Sequence, residues 1–302
     1  MPTAGDVDLD FARYIALRRG AAEKRSRDGS AYAYTGEYKV RRALQAAKPV
    51  TLAIEATVRL WKSVAKAELL GTSVKVTDQQ FPKIYKIVQR CAETLQIPVP
   101  AVYVAPMKEL NAHTLGTDDD SYIVLSGELV DHLTDAELTA IIGHECGHIH
   151  NNHVVYSTAL HYLNEAASFY VRWIVQPAIL ALQAWSRRAE ITCDRAALLC
   201  TRDLDVTMAA MVKLGLGSHK LSAELRIDEY LKQLDEGRKG IGRLQEYFRS
   251  HPYMPKRVEA LRLFARSSFY RRFAGVAADA GGEPTLDSAD VDAKVAELVS
   301  VF

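Results

Sequence analysis

Apolar side chains recur at helical spacing along most of this chain, and β-type runs are confined to one short stretch. From Pro49 to Leu70, the residues Leu52, Ala53, Ala56, Leu60, Val64 and Ala67 form one apolar stripe. That stripe predicts a helix packed on the body or laid against a membrane surface. Thr77 and Gln80 read as a capping box. Phe81, Ile84, Ile87, Val88, Cys91 and Leu95 then predict the buried face of a helix that stops before Pro98. Three β-type runs follow, Ala101–Ala105, Leu110–Leu115 and Tyr122–Ser126, spaced as a small antiparallel sheet. A second capping box, Thr134 with Glu137, opens a helix through Leu138, Ile141 and Ile142 that reaches His150.

The apolar stretch Ala166–Leu182 is interrupted by Arg172, Gln176 and Pro177, whereas a membrane span needs about 20 mostly apolar residues. It reads as a buried or kinked core helix. Residues 1–35 are expected to be weakly structured and residues 36–272 to form one domain. Residues 273–302 read as a linker and a short C-terminal helix on Val291, Val295, Leu298 and Val299. The expected class is α+β, mostly helical.

Composition narrows the functional classes. The 302 residues carry 38 basic against 37 acidic side chains, so no overall field holds the chain on nucleic acid. A hydrophobic fraction of 48% with 25% charged is that of a folded globular protein. The four cysteines contain no C-x-x-C pair, and the first twenty residues lack the apolar core of a secretory signal. Reduced thiols and a cytoplasmic location are expected.

The chemistry lies in the second capped helix. His144-Glu145-Cys146-Gly147-His148 is H-E-x-x-H, and on a helix the two imidazoles stand one above the other, able to share a metal ion. Glu145 is then the general base that activates the attacking water. Gly143 and Gly147 form a smooth i, i+4 stripe where another backbone can approach, and His150 and His153 are expected to be solvated. A catalytic zinc takes three protein ligands. The long metzincin motif is excluded, because Asn151 stands where it needs glycine and Val154 where it needs histidine. Two glutamates remain. Glu165, in Asn164-Glu165-Ala166-Ala167-Ser168, resembles the N-E-x-x-S segment of thermolysin-like enzymes. Glu190 shares a helical face with Asp194, so that one can bind metal while the other hydrogen-bonds a ligand histidine.

Taken in order, the Asn111-Ala112 strand, the capped H-E-x-x-H helix, Ser186-Arg187-x-x-Glu190-x-x-x-Asp194, and His251-Pro252 followed by Arg257 resemble the HtpX-like and CAAX prenyl protease family of zinc metalloendopeptidases. The resemblance spans roughly Leu70 to Leu263. It implies a zincin-like domain, one Zn2+ per chain, and Glu190 as the third ligand beside His144 and His148. It also implies a strand at Asn111 and Ala112 that binds an extended peptide by β-addition, and His251 and Arg257 near the metal, the first steadying the oxyanion and the second meeting substrate. The best-known members are integral membrane enzymes, and without their spanning helices this chain is expected to be a soluble member. The expected function is therefore endoproteolysis of extended or unfolded protein segments. The alternatives are a catalytically silent zinc-binding adaptor or chaperone, and a peripheral membrane protease attached through residues 49–70.

Overall fold

The computed structural model describes residues 30–300, except 108, 119, 167–168, 218–220, 222–223, 225, 238–250 and 277–283. Of the segments expected to be weakly structured or linker-like, residues 1–29 and 277–283 lie outside the described residues. In chain order the elements are α1 (Thr35–Ala46), α2 (Lys48–Thr72), β1 (Val74–Lys75), α3 (Pro82–Leu95), β2 (Ala101–Ala105), β3 (Ala112–Gly116) and β4 (Ser121–Ser126). They continue with α4 (Gly127–His132), α5 (Asp135–His150), α6 (Val154–Ala166), α7 (Phe169–Thr201), α8 (Leu204–Leu216), α9 (Ile227–Gly237), α10 (Met254–Ala265), α11 (Ser268–Ala274) and α12 (Ser288–Val299). The fold is mostly helical with one small sheet, as the patterning predicts.

The sheet has the order β1-β2-β4-β3 and is mixed, not purely antiparallel. Successive strands alternate in direction, but the β3–β4 hairpin inserts β4 beside β2, and those two run parallel from Ala101 opposite Tyr122. Strand β3 is thereby left on the outer edge. One sheet face supplies Val102, Ile123 and Leu125 to the main core, and the other packs Tyr103, Leu115, Tyr122 and Val124 against Leu69 of α2.

Helix α5 is the central element. Thr134 and Glu137 close a full capping box at its start, and Lys213 of α8 pairs with Glu137 at 2.6 Å. Leu138, Ile142 and Cys146 are buried, each large apolar side chain contributing about 1.5–3 kcal/mol. Along its other side α5 lies against α7. The glycine stripe allows that approach: a Cβ on Gly147 would stand 2.8 Å from the Cβ of Ala196, and one on Gly143 would stand 2.8 Å from the Cβ of Cys200. Helix α7 runs without a break through Pro177, so the apolar stretch and the Glu190 segment are one helix. No helix among the described residues is long and apolar enough to cross a membrane.

Two expectations at the N-terminal side change. Of the α2 stripe, Leu52 is 65% exposed, and Ala56 and Ala67 are exposed too; the side chains of Ala53, Leu60 and Val64 lie outside the described residues. The buried face is instead Ile54, Thr57 and Val58, with Val50 beside them, against Leu160 and Leu163 of α6. Three of the six stripe residues are alanines, which gain little by burial, and the larger Val50–Ile54–Val58 row wins the interface. Thr77 and Gln80 do not cap α3. Their contact, Gln80 N–H to Thr77 Oγ1 at 3.0 Å, closes a turn before the helix, which starts at Pro82 after an exposed, left-handed Phe81. Proline is preorganised for the first helical position and sets the start.

At the other end, Val291, Val295 and Val299 of α12 are buried, and Asp292 pairs with Arg195 of α7 at 2.7 Å. Tyr32 and Tyr34, just before α1, are buried in the main core.

Candidate metal centre

Helix α5 presents His144 and His148 on one face, their rings 5.1 Å apart, and the packed α7 presents Glu190 opposite them. Glu190 Oε2 lies 3.5 Å from His144 Nε2, and Oε1 lies 3.6 Å from His148 Nε2. Two donors each about 2.0–2.1 Å from a zinc ion at the tetrahedral angle stand about 3.3–3.4 Å apart, so each of these two separations, one to each Glu190 oxygen, is close to that of donors sharing a zinc ion. The buried carboxylates of Glu190 and Asp194 share one buried guanidinium, Arg257, leaving a surplus negative charge that a dication can balance.

Each group is held from behind. Asp194 Oδ1 is 3.0 Å from His144 Nδ1, and a carboxylate there fixes the proton on Nδ1 and leaves the Nε2 lone pair facing Glu190. Arg257 grips Asp194 through two hydrogen bonds, Nε to Oδ2 at 2.9 Å and Nη2 to Oδ1 at 2.6 Å, and also reaches Glu190 Oε2 at 3.0 Å. Arg257 is buried and bonded to these carboxylates beside the candidate metal centre. Burial alone would raise the Glu190 carboxyl, but His251, Arg257 and His144 hold it well below the ordinary carboxylate range. For Asp194 burial likewise pushes up, and Arg257 and His144 bring the carboxyl below its usual value.

Glu145 is buried, and the hydroxyl of Thr114 on β3 donates to its Oε2 at 2.6 Å. No catalytic role for Thr114 follows from the motifs, although alternation along β3 puts it on the face opposite Leu115. His251 has a side chain 61% exposed, with Nδ1 3.0 Å from Glu190 Oε2, making it the solvent-facing group of the cluster. Asn111 is exposed at the start of β3, where Ser126 N–H bonds its carbonyl at 2.9 Å. Given that bond, the strand register turns the backbone groups of Ala112 and Thr114 away from β4, toward the outer edge, where the Gly116 N–H further along donates to Thr158 Oγ1 of α6 at 3.0 Å.

His153 is not solvated, and His150 is half-buried. Asn152 adopts a left-handed conformation (φ 56°) that turns the chain after α5, and His153 N–H bonds the His148 carbonyl at 2.9 Å. His153 is thereby fully buried, its Nδ1 3.2 Å from His148 Nδ1 and its Nε2 2.9 Å from Glu37 Oε1 on α1. Burial pushes the His153 ring below its ordinary value, toward the neutral form, while His153 and Arg41 hold Glu37 below its own against burial. The ring of His150 meets the Tyr32 hydroxyl at 2.9 Å. The helical periodicity that made these residues look solvated ends at His150.

Cys193 Sγ also lies within 4.8 Å of donor atoms of His144 and His148. Its sulfur contacts His153 Nδ1 at 3.5 Å, and burial pushes its thiol well above the ordinary value, toward the neutral form that is the weaker metal donor. Cys146 and Cys193 are both fully buried. Glu165 sits on the last turn of α6, and its side chain lies outside the described residues.

Residues 78–265 match Peptidase family M48, well over half of the chain. The chain belongs to that family. Among curated proteins, this chain is 35% identical over 170 residues to the plastoglobule-localized metallopeptidase 48 of Arabidopsis thaliana, a match covering 55% of this chain and 49% of the plant protein. It is 26% identical to protease HtpX homolog 1 of Streptomyces coelicolor over 62% of this chain and 72% of that one. The HtpX homolog of Streptococcus gordonii matches at 26% over 69% and 82% respectively. The chain thus spans about half the length of the plant relative and more of the bacterial ones. No solved structure matches it.

Proposed function

We propose that this M48 peptidase is a zinc metalloendopeptidase that cuts extended or locally unfolded protein segments, with His144, His148 and Glu190 holding the metal. The observation that carries the reading is the pair of Glu190 contacts, 3.5 and 3.6 Å from the two Nε2 atoms, beside a buried Glu145. When bound, zinc supplies Lewis acidity that polarises a carbonyl and acidifies water.

The chain's own residues do the rest. Glu145 Oε1 accepts the proton of the attacking water and passes it to the leaving amine, while the Thr114 hydroxyl anchors Oε2 so that the carboxylate keeps one orientation. Asp194 keeps His144 in the tautomer whose Nε2 can ligate, and Arg257 keeps Asp194 and Glu190 ionised. His251, exposed at the rim, is the group able to donate to the oxyanion that develops on the scissile carbonyl. The outward backbone groups of Ala112 and Thr114, with Asn111 at the strand start, offer an edge to an extended peptide. Main-chain pairing demands a free strand, which selects unfolded segments.

The test is cleavage of unfolded casein by the wild type and by Glu145→Gln, an isosteric change. The expected result is loss of turnover by a factor of about 10²–10⁴ or more with zinc content unchanged. Full activity in Glu145→Gln would reject the peptidase mechanism.

A further inference from the structure

The segment matched by family M48 begins at residue 78, yet a carboxylate from outside it reaches the back of the proposed metal centre. Glu37, on α1, is fully buried with His153, and the hydroxyl of Thr192 donates to its Oε2 at 2.7 Å. Its Oε1 faces His153 Nε2 at 2.9 Å, and His153 Nδ1 faces His148 Nδ1 at 3.2 Å.

The proton inventory of this row has one solution compatible with a metal. His148 Nε2 must offer a lone pair on the Glu190 side, so the proton of the neutral ring is on Nδ1. Two ring nitrogens at 3.2 Å share one proton, so His153 Nδ1 accepts and its own proton sits on Nε2, facing Glu37. The carboxylate oxygen 2.9 Å from that nitrogen favours the proton there by its charge, without an aligned hydrogen bond between the two atoms.

We propose that Glu37 and His153 are positioning residues for zinc binding: Glu37 fixes the tautomer of His153, and His153 fixes the metal-binding tautomer and ring angle of His148. The inference rests on the zinc-site reading above and extends it to a helix that the family match does not include. Thr192, two residues after Glu190 on α7, ties Glu37 to the helix that brings the carboxylate ligand.

The experiment measures zinc affinity of the full chain by competition with a chromophoric chelator, together with the visible spectrum of the cobalt-substituted protein. The variants are His153→Phe, His153→Asn and Glu37→Gln. His153→Phe removes the acceptor and should weaken zinc binding by about 10–100-fold and alter the cobalt bands. His153→Asn keeps an acceptor oxygen near the place of Nδ1 and should recover most of that loss. Glu37→Gln, isosteric and therefore the safeguard if His153→Phe fails to fold, should weaken binding by several-fold to tenfold. Zinc affinity within twofold of wild type in folded His153→Phe or in Glu37→Gln would overturn the proposal. So would His153→Asn binding as poorly as His153→Phe, since volume and not the acceptor would then matter. A wild type that binds no zinc would overturn the site reading itself, whereas unchanged variants of a zinc-binding wild type overturn only this inference.

Discussion

The two imidazoles of the centre are held from opposite sides by unlike means. Behind His144 stands a charge cluster, with Asp194 gripped bidentately by Arg257 and the same guanidinium reaching Glu190. Behind His148 stands a second imidazole, with a carboxylate from α1 beyond it. The first arrangement uses residues of α7 and α10 inside the family-matched segment and buries full charges that must remain paired. The second recruits α1 through a turn at Asn152 and needs one proton in the right place on each ring. One side is therefore expected to dominate folding stability and the other to show itself in metal affinity.

The largest effect that can break this contrast is expected from Arg257→Met. It leaves Asp194 and Glu190 buried without their counter-charge and should destabilise the metal-free protein by about 3–5 kcal/mol in urea denaturation. A loss under about 1 kcal/mol would show that the charge cluster is not the anchor. Gly147→Ala comes next. Its Cβ would meet Ala196 Cβ at 2.8 Å and Cys193 Cα at 3.1 Å, prying α5 from α7 and disturbing both sides at once. A cost of about 1–3 kcal/mol, accompanied by weaker zinc binding, is expected; a stability loss with unchanged zinc affinity would mean that α7 moves as a unit without displacing Glu190.

The smallest effect acts on neither side and serves as the control. Thr134→Ala removes the α5 cap and should cost about 1 kcal/mol with zinc affinity unchanged. Its cost should depend on pH. Burial would raise the Glu137 carboxyl, but Lys213 and Thr134 hold it below the ordinary value of 4.5. A depressed carboxyl stabilises the folded state above pH 4.5 and loses that contribution as pH falls through the folded-state value, so Thr134→Ala should cost less in acid than at neutrality. An equal cost at both pH values would assign the cap to the threonine hydroxyl alone.

The same contrast separates what sequence could reveal from what it could not. Glu190 and Asp194 are four residues apart on one helix, and His144 and His148 likewise, so a single periodicity rule brings each pair to one face. The glycines at 143 and 147 announced a close backbone, and α7 occupies that place. Nothing periodic connects Glu37 to His153: the link requires α1 to dock behind α5 and the chain to turn at Asn152, both products of tertiary packing. The placing of β4 between β2 and β3 escaped for a similar reason, since local alternation predicts strands but not which neighbours they choose. On α2, two apolar rows competed, and side-chain size decided between them where spacing could not.

The most direct test of the central claim is the zinc content per chain, by elemental analysis, of the wild type beside Glu190→Ala and Glu165→Ala. The structure predicts about one zinc in the wild type and in Glu165→Ala, and its loss in Glu190→Ala. Zinc retained at full stoichiometry without Glu190 would contradict the ligand set and turn attention to Cys193, whose sulfur lies within 4.8 Å of the same two histidines.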